Sequence, residues 1–317
     1  MNDILSSIFS TDFVYSSLRL TTPILFAALA SLIADRAGII NIGLEGIMLF
    51  SALTGVIGSA YSQSLFVGLL CAVGTGLLIA FIMAYFSLTL HADITLAGVA
   101  VNLVATGGTV FVLYSICGDK GVSTSLNSLV FPTVEIPLLK DIPVLGNILS
   151  GHNVLTYVSL VMVVVVWFFM EKSKLGLRIR AVGENENAAK SVGISVVRIR
   201  YLALILSGVL ASLGGAFLSM GMLTYFSKNM SAGRGFIALA AEALGRGGAV
   251  GTFFSSLVFG CAEALSVSLQ GVGLPPQFVQ MVPYVTTILG LVIYSALRKK
   301  QQKSLHQLYK KRKRGSR

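Results

Sequence analysis

Three carboxylates stand in otherwise apolar sequence: Glu45, Glu242 and Glu263. An ionisable group inside a bilayer costs several kcal/mol, roughly 2.5–3.5 on insertion scales, so each needs a partner, a proton or a wet cavity. Glu45 closes the run Ala37-Gly38-Ile39-Ile40-Asn41-Ile42-Gly43-Leu44-Glu45. Asn41 precedes it by four residues, a spacing that puts an amide and a carboxylate on one face of a continuous helix. The flanking glycines loosen that helix and can bare backbone groups to a cavity. Glu242 ends a comparable run in the second half, Gly233-Arg234-Gly235-Phe236-Ile237-Ala238-Leu239-Ala240-Ala241-Glu242. Paired Gly-interrupted segments of this kind point to a path through a membrane. Asn102 joins the candidates because an amide surrounded by lipid must find a partner. Phe236 could stack on a ring-shaped solute. The opposing reading is structural: the same groups, hydrogen-bonded or protonated, could simply hold helices together, and Phe236 could be packing.

The elements that must position these residues are membrane spans. Hydrophobic residues make up 55% of the 317, charged residues 12%, and mean hydropathy is +0.82. A soluble domain carries about 25% charge. Residues 65–90, 94–118, 201–227 and 264–297 contain no Asp, Glu, Lys or Arg, and roughly 20 apolar residues cross a bilayer core. Spans are predicted at 17–34, 38–60, 65–89, 94–116, 153–170, 199–222, 249–270 and 277–297. A shorter segment at 236–245 dips in without crossing unaided, for nine passes in all. The expected fold is all-α: a polytopic bundle of about 8–10 helices with discontinuous or re-entrant segments. It forms a single transmembrane domain over 1–317, with 1–16 as an external or interfacial N-terminus. No cleavable signal peptide is expected, since the first eighteen residues lack Lys, Arg and an A-x-A site.

Charge sets the orientation. Residues 171–200 hold seven basic residues (Lys172, Lys174, Arg178, Arg180, Lys190, Arg198 and Arg200), and 298–317 hold ten without an acid. Both are expected on the cytoplasmic side. The basic tail accounts for nearly all of the net charge of +11, so it reads as an anchor on anionic lipid rather than a nucleic-acid site. Residues 117–152 then fall outside, while Asp35-Arg36 and the His91–Asp93 turn fall inside. Within the 171–200 island, Glu186-Asn187-Ala188-Ala189-Lys190-Ser191-Val192-Gly193 predicts a small-faced helix closed by Gly, compact enough for a partner's groove. Such a cytoplasmic helix reads as a coupling loop. No phosphate-binding G-x-x-x-x-G-K-[ST] and no H-E-x-x-H occurs, and Cys71, Cys117 and Cys261 lack metal spacing. These features predict a transport subunit, not an enzyme, with no cofactor or metal of its own.

Three segments carry a family resemblance. Asn41-Ile42-Gly43-Leu44-Glu45-Gly46-Ile47-Met48 is similar to an N-I-G-x-E-G-x-M signature. The Gly233–Ala240 segment resembles G-R-G-[FY]-I-A-L-A. The Gly176–Gly193 segment resembles a G-x-x-x-R-A-V-G-x-N-x-x-A-A-x-x-x-G loop. Together they resemble the permease subunits of bacterial ABC importers of the branched-chain amino acid/ribose class, nearest the branch that carries nucleosides and related ring compounds. Asn187 departs from the Glu that begins the usual contact-helix motif. Arg246-Gly247-Gly248 stands where many relatives carry an aromatic-Asn-Pro turn.

The resemblance implies a type II ABC importer-like fold in the cytoplasmic (inner) membrane, with a cytoplasmic C-terminus. It implies three partners: an ABC ATPase subunit that binds the ATP, a second permease chain (identical or a sister), and an extracytoplasmic substrate-binding lipoprotein. Glu186, Ala188, Ala189 and Gly193 would form the ATPase contact. Asn41, Glu45, Asn102, Phe236 and Glu242 would flank the substrate pathway. The rival readings are a proton-coupled carrier using Glu45 and Glu242, a channel or scaffold, and an importer of simple sugars or riboflavin.

Overall fold

Helix α1 (Thr11–Asp35) starts where the Ser10 hydroxyl accepts from Phe13 N at 3.2 Å, and it runs 25 residues, about 37 Å at 1.5 Å per residue. The computed structural model describes residues 10–135, 145–270, 281–283, 285–290 and 292. The remaining long helices are α2 (Leu44–Ser62), α3 (Leu65–Ala84), α4 (Ile94–Cys117), α6 (Val154–Lys172), α9 (Val196–Phe217) and α11 (Ala249–Gln270). With α1, seven helices among the described residues are long and apolar enough to cross a membrane. One π-helical turn extends α3 through Thr89, and another extends α9 through Met222. Side-chain caps set several starts: Asp93 for α4, Asn153 for α6, Ser173 for α7 (Lys174–Glu184) and Asn185 for α8 (Glu186–Ser191). The short α10 (Arg234–Leu244) follows α9, and α5 (Leu145–Leu149) lies between β1 (Thr133–Val134) and β2 (His152–Asn153), which pair antiparallel.

Helix α1 is the axis of the bundle. Ile24 to Ala34 are buried on every face, because α9, α11, α10 and α6 all pack against it. Helix α2 packs on α3, α9 and α4. The α3–α9 crossing is made by small residues: a Cβ on Gly76 would lie 2.8 Å from the Gly208 carbonyl. Close backbone approach of this kind drives helix association where lipid removes the hydrophobic incentive. Helices α3 and α4 keep most of their apolar surface outward.

The connections gather at two ends, which is the arrangement the charge pattern predicts. At one end, residues 121–131 bond to residues 220–228: Ser123 N to Phe226 O at 2.9 Å, Lys228 N to Gly121 O at 2.7 Å and Phe131 N to Met220 O at 2.8 Å. Tyr15 stacks on His152 there, with ring centroids 4.0 Å apart. The opposite end holds Arg36, the α7–α8 island and the turn after α10.

Two expected boundaries move. Helix α1 begins at Thr11, so 11–16 belong to the first long helix rather than to a separate N-terminal segment. The span expected at 38–60 begins as a helix only at Leu44, because Ala37 to Gly43 form turns and extended backbone, with Gly38 at φ 75°. Of the span expected at 277–297, the described residues 281–283, 285–290 and 292 are helical. The 271–276 turn, residues 1–9 and the tail 298–317 lie outside the described residues.

Candidate functional site

The late start of α2 separates Asn41 from Glu45. They do not share a helical face, as their spacing predicts, because Asn41 lies in the non-helical connector. Its side chain is wholly buried and serves two partners: Oδ1 accepts from Gly43 N at 3.1 Å, and Nδ2 donates to Ser207 Oγ on α9 at 2.9 Å. Asn102 on α4 does the same work from the other side. Its Oδ1 accepts from Gly46 N at 2.8 Å, and its Nδ2 donates to Ile42 O at 3.0 Å. A broken helix start leaves backbone donors and acceptors that lipid cannot satisfy. Two amides satisfy them here.

Glu45 faces the second half of the chain. Oε1 accepts from Ser231 Oγ at 2.6 Å and from Gly233 N at 2.8 Å, while Oε2 accepts from Gly235 N at 2.7 Å. These donors surround the N-terminus of α10, whose N-cap Gly233 has φ 81° and no side chain of its own to offer. Glu45 therefore caps α10 from a distant helix, and an anionic acceptor is favoured there by the helix dipole. Gly235 is required for this closeness, since a Cβ on it would stand 2.5 Å from Glu45 N and 2.7 Å from Glu45 Cα. Gly235→Ala is expected to destabilise the protein by about 1–3 kcal/mol through overpacking. Thermal unfolding of the purified protein checks this.

The other candidates divide. Glu263 pairs with Arg234: Arg234 Nε lies 3.3 Å from Glu263 Oε2, and the Arg234 Nη2–Glu263 Oε1 contact is closer still. Both side chains are 13% exposed, so this acid is partnered within α10 and α11. Glu242 lies at the far end of α10, 7% exposed, with Asp35 and Arg36 as its charged neighbours. About two helical turns separate it from the Glu45 cradle, so the two carboxylates do not form one cluster. Phe236 is 47% exposed beside the α10 cap, and it alone of the five pathway candidates offers a large free surface.

The coupling candidates also separate. Asn185 Oδ1 accepts from Ala188 N at 3.0 Å and fixes the start of α8 at Glu186. Asn187, standing where relatives have Glu, is thus the second residue of the helix. The helix stops at Ser191, and Gly193 follows at φ 81° with its N–H donating to Lys190 O at 3.0 Å. Ala189 is 3% exposed and packs inward, whereas Ala188 is exposed. One alanine faces the chain and the other faces outward.

Sequence reasoning did not reach Ser231, Ser207, Arg36 or Gly247, all of which bond to candidate residues or to the elements that carry them. The run Ser231-Ala232-Gly233-Arg234-Gly235 was the available signal: four small residues around an Arg at a helix start.

The Bacillus subtilis guanosine ABC transporter permease protein NupQ is 36% identical over 299 residues, 91% of this chain and 92% of that protein. The Lactococcus lactis nucleoside ABC transporter permease protein NupC is 34% identical, covering 89% and 91%. The Haloferax volcanii putative glucose ABC transporter permease protein TsgC13 is 30% identical, covering 92% and 93%. The branched-chain amino acid transport system permease component family matches residues 13–291. With seven span-length helices among the described residues, a short α10 clasped by Glu45 and this match over most of its length, the chain belongs to that permease family and is a multi-pass transport component rather than an enzyme.

Proposed function

We propose that this chain is the permease subunit of an ATP-driven importer that moves nucleosides across the cytoplasmic membrane by alternating access. The observation that carries the reading is the convergence of the family match with the joined signature segments, Asn41–Met48 gripping Gly233–Ala240 through Glu45. Identity to the nucleoside permeases NupQ (36%) and NupC (34%) exceeds that to the putative glucose permease TsgC13 (30%), which supports the nucleoside class. A second permease chain, identical or a sister, completes the path. An ATPase docks at α8 through Glu186, Ala188 and Gly193, with Ala189 holding the helix from behind, and carries the ATP. A substrate-binding lipoprotein delivers solute at the opposite end. Phe236 lines the path, while Asn41, Glu45 and Asn102 shape its wall and Glu242 lies toward its cytoplasmic side. The C-terminal tail sits on the cytoplasmic surface.

Uptake of labelled guanosine, uridine, ribose and riboflavin is compared in cells with and without the chain, before and after ATP depletion. The expected result is loss of nucleoside uptake alone when either the chain or ATP is removed. Loss of ribose or riboflavin uptake instead would keep the importer and replace its substrate. Uptake indifferent to ATP and abolished by an uncoupler would establish a proton-coupled carrier.

A further inference from the structure

The junction from Arg36 at the end of α1 to Glu45 in the first turn of α2 grips both ends of α10. At the N-terminus, Glu45 accepts from Ser231, Gly233 and Gly235. Beyond the C-terminus, Arg36 Nε donates to the Gly247 carbonyl at 2.7 Å, and its Nη2 donates to the same oxygen. Gly247 sits at φ 65° in the turn between α10 and α11. Two residues nine apart in sequence thus hold a helix whose own sequence lies some 190 to 211 positions away.

The same junction is locked to the cytoplasmic island. The Arg36 carbonyl lies so close to Gly183, at the end of α7, that no side chain fits at that position. Arg200 Nε donates to the Ala37 carbonyl at 3.4 Å, and Arg200 Nη2 pairs with Glu186 Oε2 at 3.1 Å. Glu186 opens α8 and also accepts from Lys190 Nζ at 2.6 Å. That hydrogen bond and the Arg200 charge hold the Glu186 carboxyl below the usual carboxylate range, so the pair is ionised at neutral pH. An unbroken chain of partners runs from α8 through Arg200 and the junction to α10.

We infer that Arg36 is the positioning residue through which displacement of α8 reaches the re-entrant helix α10. The inference rests on α8 being the ATPase contact. A guanidinium with two N–H groups on one carbonyl fixes orientation as well as distance, which a single flexible ammonium does not. A shift of about 1–2 Å at α8, the size typical of helix displacements at subunit interfaces, passes through Glu186, Arg200 and the Ala37 carbonyl. It leaves through Gly247 and Glu45, so α10 moves as a body. Arg36 touches neither solute nor nucleotide.

The complete complex is reconstituted in liposomes with labelled guanosine as the probe. Arg36→Ala and Arg36→Lys are expected to copurify with the ATPase and to keep basal ATP hydrolysis within about twofold. Guanosine moved per ATP is expected to fall about fivefold or more in Arg36→Ala, with Arg36→Lys between. A purely structural tie would lower the amount of complex and leave that ratio unchanged, and this result would overturn the inference.

A second measurement keeps Arg36 in place. Spin labels are placed at Ala243→Cys on α10 and Val164→Cys on α6, with Cys71, Cys117 and Cys261 replaced by Ser. The inter-label distance is expected to change by roughly 2 Å on adding a non-hydrolysable ATP analogue, and to stay fixed when Arg36→Ala is added. An α10 that does not move, or that moves equally without Arg36, overturns the relay. A distance change lost with Arg36→Ala in a complex that carries no guanosine would support the relay and sink the substrate assignment.

Discussion

Glu45→Ala is expected to lower uptake by about tenfold or more and to drop the thermal midpoint of the purified complex by roughly 5–10 °C. The carboxylate serves three donors at 2.6–2.8 Å in a site that is 8% exposed. Removing it leaves two backbone N–H groups at the N-terminus of α10 and one hydroxyl without acceptors, each worth about 1–3 kcal/mol when buried. The gap also frees α10 from α2, so the helix that carries Phe236 loses its anchor. Glu45→Gln distinguishes the clasp from a proton carrier. Its single carbonyl oxygen serves one side of the cradle, while its NH2 meets another donor, so stability is expected to fall by a smaller amount. The pH profile of the remaining uptake is expected to keep its shape. If Glu45→Gln instead flattens that profile and removes uncoupler sensitivity, Glu45 carries protons. Unchanged uptake and melting in Glu45→Ala would show that α10 does not depend on the clasp.

Bulk placed on α8 is expected to have opposite consequences at adjacent positions. Ala188 is exposed, so Ala188→Trp should leave the island folded while blocking the partner's groove. ATPase copurification and ATP-dependent uptake should both fall by about tenfold or more, with membrane insertion unchanged. Ala189 is 3% exposed on a helix packed against α7 and α9, so Ala189→Trp should instead displace α8 from them. Proteolysis of the 171–200 island in the isolated chain separates the two: protection is expected to persist in Ala188→Trp and to fail in Ala189→Trp. Equal protection and equal loss of copurification at both positions would mean that α8 does not present one face outward.

Much of this protein was legible in its sequence because membrane folding acts through local rules. Among the described residues, seven of the eight predicted spans are span-length helices near the predicted positions, since lipid obliges each crossing segment to satisfy its own backbone. The short 236–245 segment became α10 with boundaries two residues or fewer away. The segments 121–131 and 220–228 meet at one end and Arg36 meets the 171–200 island at the other, as the distribution of Lys and Arg requires. Gly193 ends its helix in the left-handed conformation that Gly adopts freely.

What failed was any inference that assumed an unbroken helix or needed a distant partner. The Asn41–Glu45 spacing implied one face, yet Gly38 and Gly43 sit in turns and the amide and carboxylate serve different helices. Arg36 read only as a marker of the cytoplasmic side, though its guanidinium ends on a carbonyl 211 residues away. Glu263 read as a lone acid until Arg234 was brought to it. Two adjacent alanines read alike until α7 and α9 buried one of them. Hydropathy, caps and charge bias are decided within a turn or a span, so the sequence by itself determined which segments are long and apolar enough to cross, where several helices start and which connections share an end. A hydrogen bond needs its two atoms within about 3 Å and aligned. Only the packing of α1, α2, α9 and α10 against one another decided which polar groups reach that distance, and therefore what each buried carboxylate holds.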